Sequence, residues 1–197
     1  MPPKIILASS SPRRKQLLQW AEVNFEIITH PTDELIPHNV PVEEVPIYIA
    51  REKALAVKEK IKLWKEGHSG ENNNYPILAA DTIVVLGNEI LGKPIDMEDA
   101  KQMLEKLQGN HHKVITGVVI LNGENEVSFS DITDVSFHPL TSKQIAFYVE
   151  KYKPYDKAGA YAIQEWIGVV GIKTVTGDFY NVMGLPVSRV VQAINNL

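Results

Sequence analysis

The chain opens with Lys4-Ile5-Ile6-Leu7-Ala8-Ser9-Ser10-Ser11-Pro12-Arg13-Arg14, an apolar run that meets three hydroxyls, a proline and two adjacent arginines. Those residue types in that order suit phosphate. Ser11 is a good N-cap, and Pro12 suits the first helical position because its missing N–H would have had no intrahelical partner. The free N–H groups of such a helix start point at incoming anions. Arg13 and Arg14 fall in the first turn, where the helix dipole disfavours cations unless something negative is expected. Ser9 and Ser11 add neutral donors beside them. Taken alone, the segment also reads as a well-capped surface helix with solvated arginines.

A second candidate is Asp81, inside Ile77-Leu78-Ala79-Ala80-Asp81-Thr82-Ile83-Val84-Val85. A carboxylate in so apolar a strand is expensive to bury unless it is paired, protonated or bound to a metal. It would need no partner as a strand-end cap, but more strand-like residues follow it. Lys93 stands between Gly92 and Pro94, so a rigid turn presents it. Lys53 borders the apolar stripe of its helix and reaches inward, whereas Lys58, Lys60, Lys62 and Lys65 face water. Glu34, in an acidic loop, is either a solvated loop acid or, with Asp81, an oxygen ligand for Mg²⁺ or Mn²⁺. No serine–histidine–aspartate arrangement is evident. His111-His112 lacks a third partner at metal-ligand spacing and reads as a solvated pair at a strand end.

The elements that must position these side chains alternate between strand and helix. After the first strand and helix, Phe25 to Thr29 reads as a strand and Pro31 to Glu44 as a proline-rich, acidic loop. Pro46 opens a helix with a stripe of Ile47, Ala50, Ala54, Val57, Ile61 and Trp64, ending near Gly67. Gly67 to Pro76 is a solvated tip. Ile77 to Leu86 reads as a central strand that turns at Gly87-Asn88 into a short partner. A helix follows from about Asp96, with Ala100, Met103, Leu104 and Leu107 on one face and Gly109 as its stop. Val114 to Leu121 and Glu126 to Phe137 are strands joined through Asn122-Gly123. Thr141 and Gln144 form a capping box for a helix to about Tyr152. Val169 to Val175 reads as a strand, and Pro186 to Asn195 as a closing helix.

Composition narrows the function classes. With 197 residues, 44% of them hydrophobic, the chain can bury a full core as one domain or two closely joined lobes. No apolar run is long enough for a membrane span and no secretory leader pattern is seen, so a soluble, cytoplasmic protein is expected. The absence of cysteine excludes disulfides, a thiol nucleophile and cysteine-ligated metals. A formal net charge of -4 argues against a protein that tracks a nucleic-acid backbone. The basic residues that matter must be local, which suits a small anionic substrate.

Seven stretches, taken in order, resemble one family. They are Ser9-Ser10-Ser11-Pro12-Arg13-Arg14 with Leu17-Leu18, Arg51-Glu52-Lys53-Ala54, Ala80-Asp81-Thr82, Leu91-Gly92-Lys93-Pro94, Thr116-Gly117-Val118, Asp156 through Gln164, and Gly184-Leu185-Pro186. The chain resembles the Maf family of nucleoside triphosphate pyrophosphatases over essentially its whole length. Ala-Tyr-Ala-Ile-Gln resembles the branch acting on dTTP and UTP. The resemblance implies an α/β fold of two lobes around a central mixed sheet with a cleft, related to the inosine-triphosphate pyrophosphatases. The whole of 1–197 is then a single Maf-like domain, cytoplasmic, often dimeric in the family and dependent on a divalent metal. Asp81 matches the family's catalytic acid/base position, and Arg13, Thr82 and Gln164 match its specificity positions. Ser9, Ser11, Arg13, Arg14, Lys53 and Lys93 are expected to hold the phosphates of a nucleoside triphosphate, and Asp81 with Glu34 the metal. Glu165-Trp166 departs from the glycine that follows the glutamine in better-known bacterial members. A nucleotide-binding regulator of cell division without catalysis is the rival reading; the presence of Asp81, Lys53 and Lys93 argues against it.

Overall fold

A computed structural model describes residues 3–32, 40–66 and 75–197. Among these residues, seven strands form one mixed sheet, with helices between them in sequence. The chain divides into two compact units: Met1–Asp81, Thr116–Asp131 and Gly184–Leu197 form the first, and Thr82–Ile115 and Ile132–Met183 the second.

In the first unit, strand β1 (Ile5–Leu7) runs into helix α1 (Pro12–Trp20), and strand β2 (Phe25–Ile27) returns parallel to β1. Helix α2 (Val45–Glu66) then crosses to β3 (Ile77–Leu86), which pairs with the other side of β1, also in parallel. All three residues of β1 are buried, as an inner strand of a parallel sheet requires. The chain thus leaves β1 toward β2 on one side and leaves β3 toward the later strands on the other, and beyond the C-terminal ends of strands at such a switch is where open parallel sheets bind ligands.

Helix α2 is held by its stripe. Ala50, Ala54 and Val57 pack into a cluster with Ile6, Ala8, Ile77, Ala79, Val119 and Leu121. Burying a side chain the size of valine contributes about 1.5–3 kcal/mol, so a few such contacts fix the rotation of the helix. The helix outruns that cluster, and Trp64, expected on the stripe, is 58% exposed. Its first turn lies against Gly117, where an added Cβ would stand 2.2 Å from the backbone of Pro46 and Ile47. Only glycine allows that approach. The expected loop and tip on either side of α2 lie partly in residues 33–39 and 67–74, outside those described.

Strand β4 (Glu89–Leu91) folds back antiparallel on β3 through the Gly87-Asn88 turn. Helix α3 (Met97–Leu107) is capped by Asp96, whose carboxylate accepts from Asp99 N, and buries Ala100, Leu104 and Leu107. Strands β5 (His111–Asn122) and β6 (Asn125–Phe137) follow, each running from one unit into the other. The sheet order is β2-β1-β3-β5-β6-β7, with β4 beside β3. Helix α4 (Ser142–Tyr152) starts with both halves of the Thr141–Gln144 capping box in place.

The stretch expected as a strand from Val169 begins instead as helix α5 (Trp166–Gly171), and only Ile172–Thr176 is strand, β7. The Glu165 carbonyl accepts from Gly168 N at 2.9 Å and Val169 N at 3.3 Å, which closes a helical turn. Gly168 permits this because a Cβ there would stand 1.7 Å from the Ile163 carbonyl oxygen. That contact overrides the strand preference of Val169-Val170. Helices α6 (Phe179–Met183) and α7 (Val187–Asn195) complete the chain.

Candidate active site

The serine turn forms as its sequence requires. Ser11 caps α1 by accepting from Arg14 N, and Pro12 occupies the first turn. Ser9 Oγ accepts from Ser11 N and from Arg14 Nη1, each at 3.2 Å. Arg14 Nε donates to the Gly184 carbonyl at 2.8 Å. Arg14 is only 8% exposed, so its guanidinium braces the serine turn against the Gly184-Leu185-Pro186 segment. Arg13 next to it is half-buried. The two adjacent arginines therefore differ: one is committed to internal carbonyl and hydroxyl groups, the other stands nearer the surface of the same helix start.

The register Ile6↔Ile77 and Leu7↔Leu78 carries the stretch of β3 leading to Asp81 alongside the strand that ends in this turn. Lys53 Nζ donates to Asp81 Oδ1 at 2.7 Å, with side-chain exposures of 19% and 15%. At an effective dielectric of about 20, such a separation gives a gross attraction on the order of 6 kcal/mol, most of which desolvation of two ions takes back. The pair thus explains how an apolar strand tolerates its aspartate more than it adds stability. The sequence placed Lys53 at the edge of the buried stripe and Asp81 in the strand, yet not in contact with one another. Ala50 and Ala54, both fully buried, set the helix face from which Lys53 reaches.

Thr82 follows Asp81 in β3 and opens the second unit. There, Gly92 O accepts from Gly159 N at 3.0 Å, so the exposed Lys93 is presented from a turn tied to the Asp156–Gln164 segment. Gln164 is exposed on a turn closed by Glu165 N donating to Ala162 O at 3.0 Å. Glu34 lies outside the described residues.

His112 corrects the expectation of a solvated pair. It is 3% exposed, with its ring 5.6 Å from that of Phe137 and 5.4 Å from that of Tyr161. Strand alternation explains the split, turning His111 outward and His112 inward. His112 Nε2 and Tyr161 Oη share a hydrogen bond of 2.7 Å, while His112 Nδ1 is buried without a partner among the described residues. Burial, with the neighbouring His111 charge adding to it, lowers the His112 pKa to about 4. Burial also raises that of Tyr161.

A family profile described as "Maf-like protein" matches residues 4–197. The chain belongs to the Maf family. A protein of Cytophaga hutchinsonii named dTTP/UTP pyrophosphatase is 50% identical over 98% of this chain and 84% of its own length. Proteins of the same name from Phocaeicola vulgatus and Parabacteroides distasonis are 45% and 42% identical, each over 98% of this chain and 96% and 95% of their own.

In this Maf chain no three histidine, aspartate or glutamate side chains among the described residues gather into a metal cage. The donor set nonetheless fits a hard cation of the magnesium type, which is commonly held by one or two carboxylates together with substrate phosphates and water. Asp81 offers such a carboxylate, half-buried at the end of an apolar run. Sequence reasoning missed Tyr148, Lys157 and Glu165, which gather around the Gln164 turn: Lys157 Nζ lies 3.5 Å from Glu165 Oε1, and Tyr148 Oη donates to Glu165 Oε2. Lys157 lies in the Asp156–Gln164 stretch with nothing local to mark a role, and only the three-dimensional return of α4 onto the turn brings Tyr148 to it.

Proposed function

We propose that this chain is a nucleoside triphosphate pyrophosphatase that hydrolyses dTTP and UTP to the nucleoside monophosphate and pyrophosphate. The observation that carries the reading is the full-length likeness to relatives of that name, joined to an aspartate paired with a lysine beside a phosphate-type helix start. The whole chain acts as one Maf-like domain on small nucleotides rather than polymers, as its net charge of -4 favours. It works in the cytoplasm, as a dimer.

In this mechanism the water oxygen attacks the α-phosphorus, the bond to the α–β bridging oxygen breaks, and pyrophosphate leaves with that oxygen. Asp81 takes the water proton through Oδ2, since Oδ1 is engaged by Lys53. Lys53 holds the carboxylate in one orientation and balances its charge when substrate phosphates arrive. Arg13, with Ser9, Ser11 and the N–H groups of α1, grips phosphate oxygens, and Lys93 adds a point charge. Arg14 keeps that helix start in place. Asp81 and Glu34 would hold a divalent cation, Mg²⁺ or Mn²⁺, which would supply charge neutralisation on the phosphates. Gln164 answers the N3–H and adjacent carbonyl of uracil or thymine with one acceptor and one donor, Thr82 assisting.

The test is pyrophosphate release from each common nucleoside triphosphate, with Asp81→Asn as control. Turnover of dTTP and UTP well above the purine nucleotides is expected. Equal turnover of all, or none in the parent protein with either metal, overturns the reading.

A further inference from the structure

Gln164 stands at the third position of a four-residue turn, Ala162 to Glu165, and is itself exposed. An exposed amide on a turn cannot discriminate bases unless the turn is held, because an amide that swings or flips meets cytosine as readily as uracil. The turn's own hydrogen bond fixes only its two ends relative to each other.

Both ends are fastened to one hydroxyl. Ala162 N donates to Tyr148 Oη at 3.2 Å, and Tyr148 Oη in turn donates to Glu165 Oε2. The other carboxylate oxygen of Glu165 faces Lys157 Nζ at 3.5 Å, and that ammonium is also 2.7 Å from Asp156 Oδ1. The tyrosine is fully buried on α4, and Lys157 is 8% exposed. Tyr148 is thus set by packing, and its hydroxyl ties α4 to both ends of the turn. Hydrogen bonds involving an ionised acceptor are roughly twice as strong as neutral ones.

We propose that Tyr148 and Glu165 are positioning residues for base discrimination: the hydroxyl–carboxylate staple holds the Ala162–Glu165 turn so that Gln164 presents one amide orientation to the pyrimidine. The proposal rests on the reading of Gln164 as the base-reading side chain. Both act on the base through the turn.

The experiment measures kcat/KM for UTP and CTP, together with the inhibition constant of inorganic pyrophosphate, for the full chain and four variants. Tyr148→Phe keeps the ring and removes both bonds of the hydroxyl; the UTP to CTP ratio is expected to fall about tenfold with pyrophosphate inhibition unchanged. Glu165→Ala should match it, and Glu165→Gln, which still accepts from Tyr148, should keep the ratio within about twofold of the parent. Gln164→Ala fixes the baseline. A ratio that falls in Gln164→Ala but not in Tyr148→Phe or Glu165→Ala overturns the staple and leaves the base reading intact. An unchanged ratio in Gln164→Ala removes the base reading and the staple with it. A parallel change in pyrophosphate inhibition shows general structural damage and likewise overturns the proposal.

Discussion

Asp81 and Gln164 are mounted in opposite ways. The aspartate lies mid-way along a ten-residue strand, with four buried residues before it and a lysine 2.7 Å away. The glutamine rides exposed on a short turn, and its anchorage is indirect, through its neighbours' bonds to Tyr148. A group that must keep a charge at one point is best carried on regular structure, where packing of adjacent side chains fixes the backbone. Under the proposed function Gln164 reads the edge of a base, and such a group has to remain open to solvent until the base arrives, so rigidity has to be built into its flanks.

The contrast breaks most sharply at Asp81. Asp81→Asn is expected to lower kcat by about 10²–10⁴-fold on every nucleotide alike, leaving the preference among bases and the melting temperature close to those of the parent. Pyrophosphate release measures it, and a loss smaller than tenfold would remove Asp81 from proton transfer. A similar division is expected between the two arginines of α1. Arg14→Ala strips charge-assisted bonds from Ser9 and from the Gly184 carbonyl and should cost about 2–4 kcal/mol in denaturant unfolding. Arg13→Ala should cost less than about 1 kcal/mol while raising KM for the triphosphate. If both lose stability equally, the assignment of one to bracing and the other to substrate fails.

Acid should loosen the second unit through His112. Its pKa is lowered to about 4 in the native protein, against about 6.5 in an unfolded chain. Between those values the unfolded state binds the extra proton, so stability falls as pH falls, by about 2 kcal/mol from pH 6.5 to pH 5, and levels off below about pH 4. Denaturant midpoints across that range test it. In His112→Gln this slope should disappear, and an identical slope would place the acid sensitivity elsewhere. The smallest effect is expected at the base. Gln164→Glu removes a donor and introduces charge, shifting the UTP to CTP ratio of kcat/KM against UTP by about tenfold, equivalent to about 1.4 kcal/mol. An unchanged ratio would make the turn a mere connection.

Elements governed by local chemistry were legible in the sequence. The Ser11-Pro12 helix start, the Thr141–Gln144 capping box, the helix starting near Asp96 and the turn at Gly87-Asn88 all form where local residues demand. The apolar continuity around Asp81 likewise marked an inner strand. What escaped depends on contacts distant in sequence. Val169 and Val170 have strand-forming side chains, but the approach of Gly168 to the Ile163 carbonyl makes them helical. Lys53 and Asp81 are 28 residues apart, and their meeting follows from the crossing of α2 over the sheet. His112 read as solvated because nothing local announces Phe137 and Tyr161 around it. For the same reason Arg14, read as a phosphate ligand, gave no sign of its bond to a carbonyl 170 residues away.

Gly117 carries no functional group, yet it bears on how far the protein can be re-engineered. A substitution to alanine, the routine stabilising exchange in helices and loops, would here force a methyl to within 2.2 Å of the backbone of Pro46 and Ile47. Relief requires the start of α2 to move by on the order of 1 Å, a displacement that in an active site can cost about 10²-fold in rate. Less than two helical turns along from that contact the same helix carries Lys53. The absent methyl therefore works as a machining tolerance: it sets the depth at which the helix is seated, and so how closely a lysine is delivered to the aspartate.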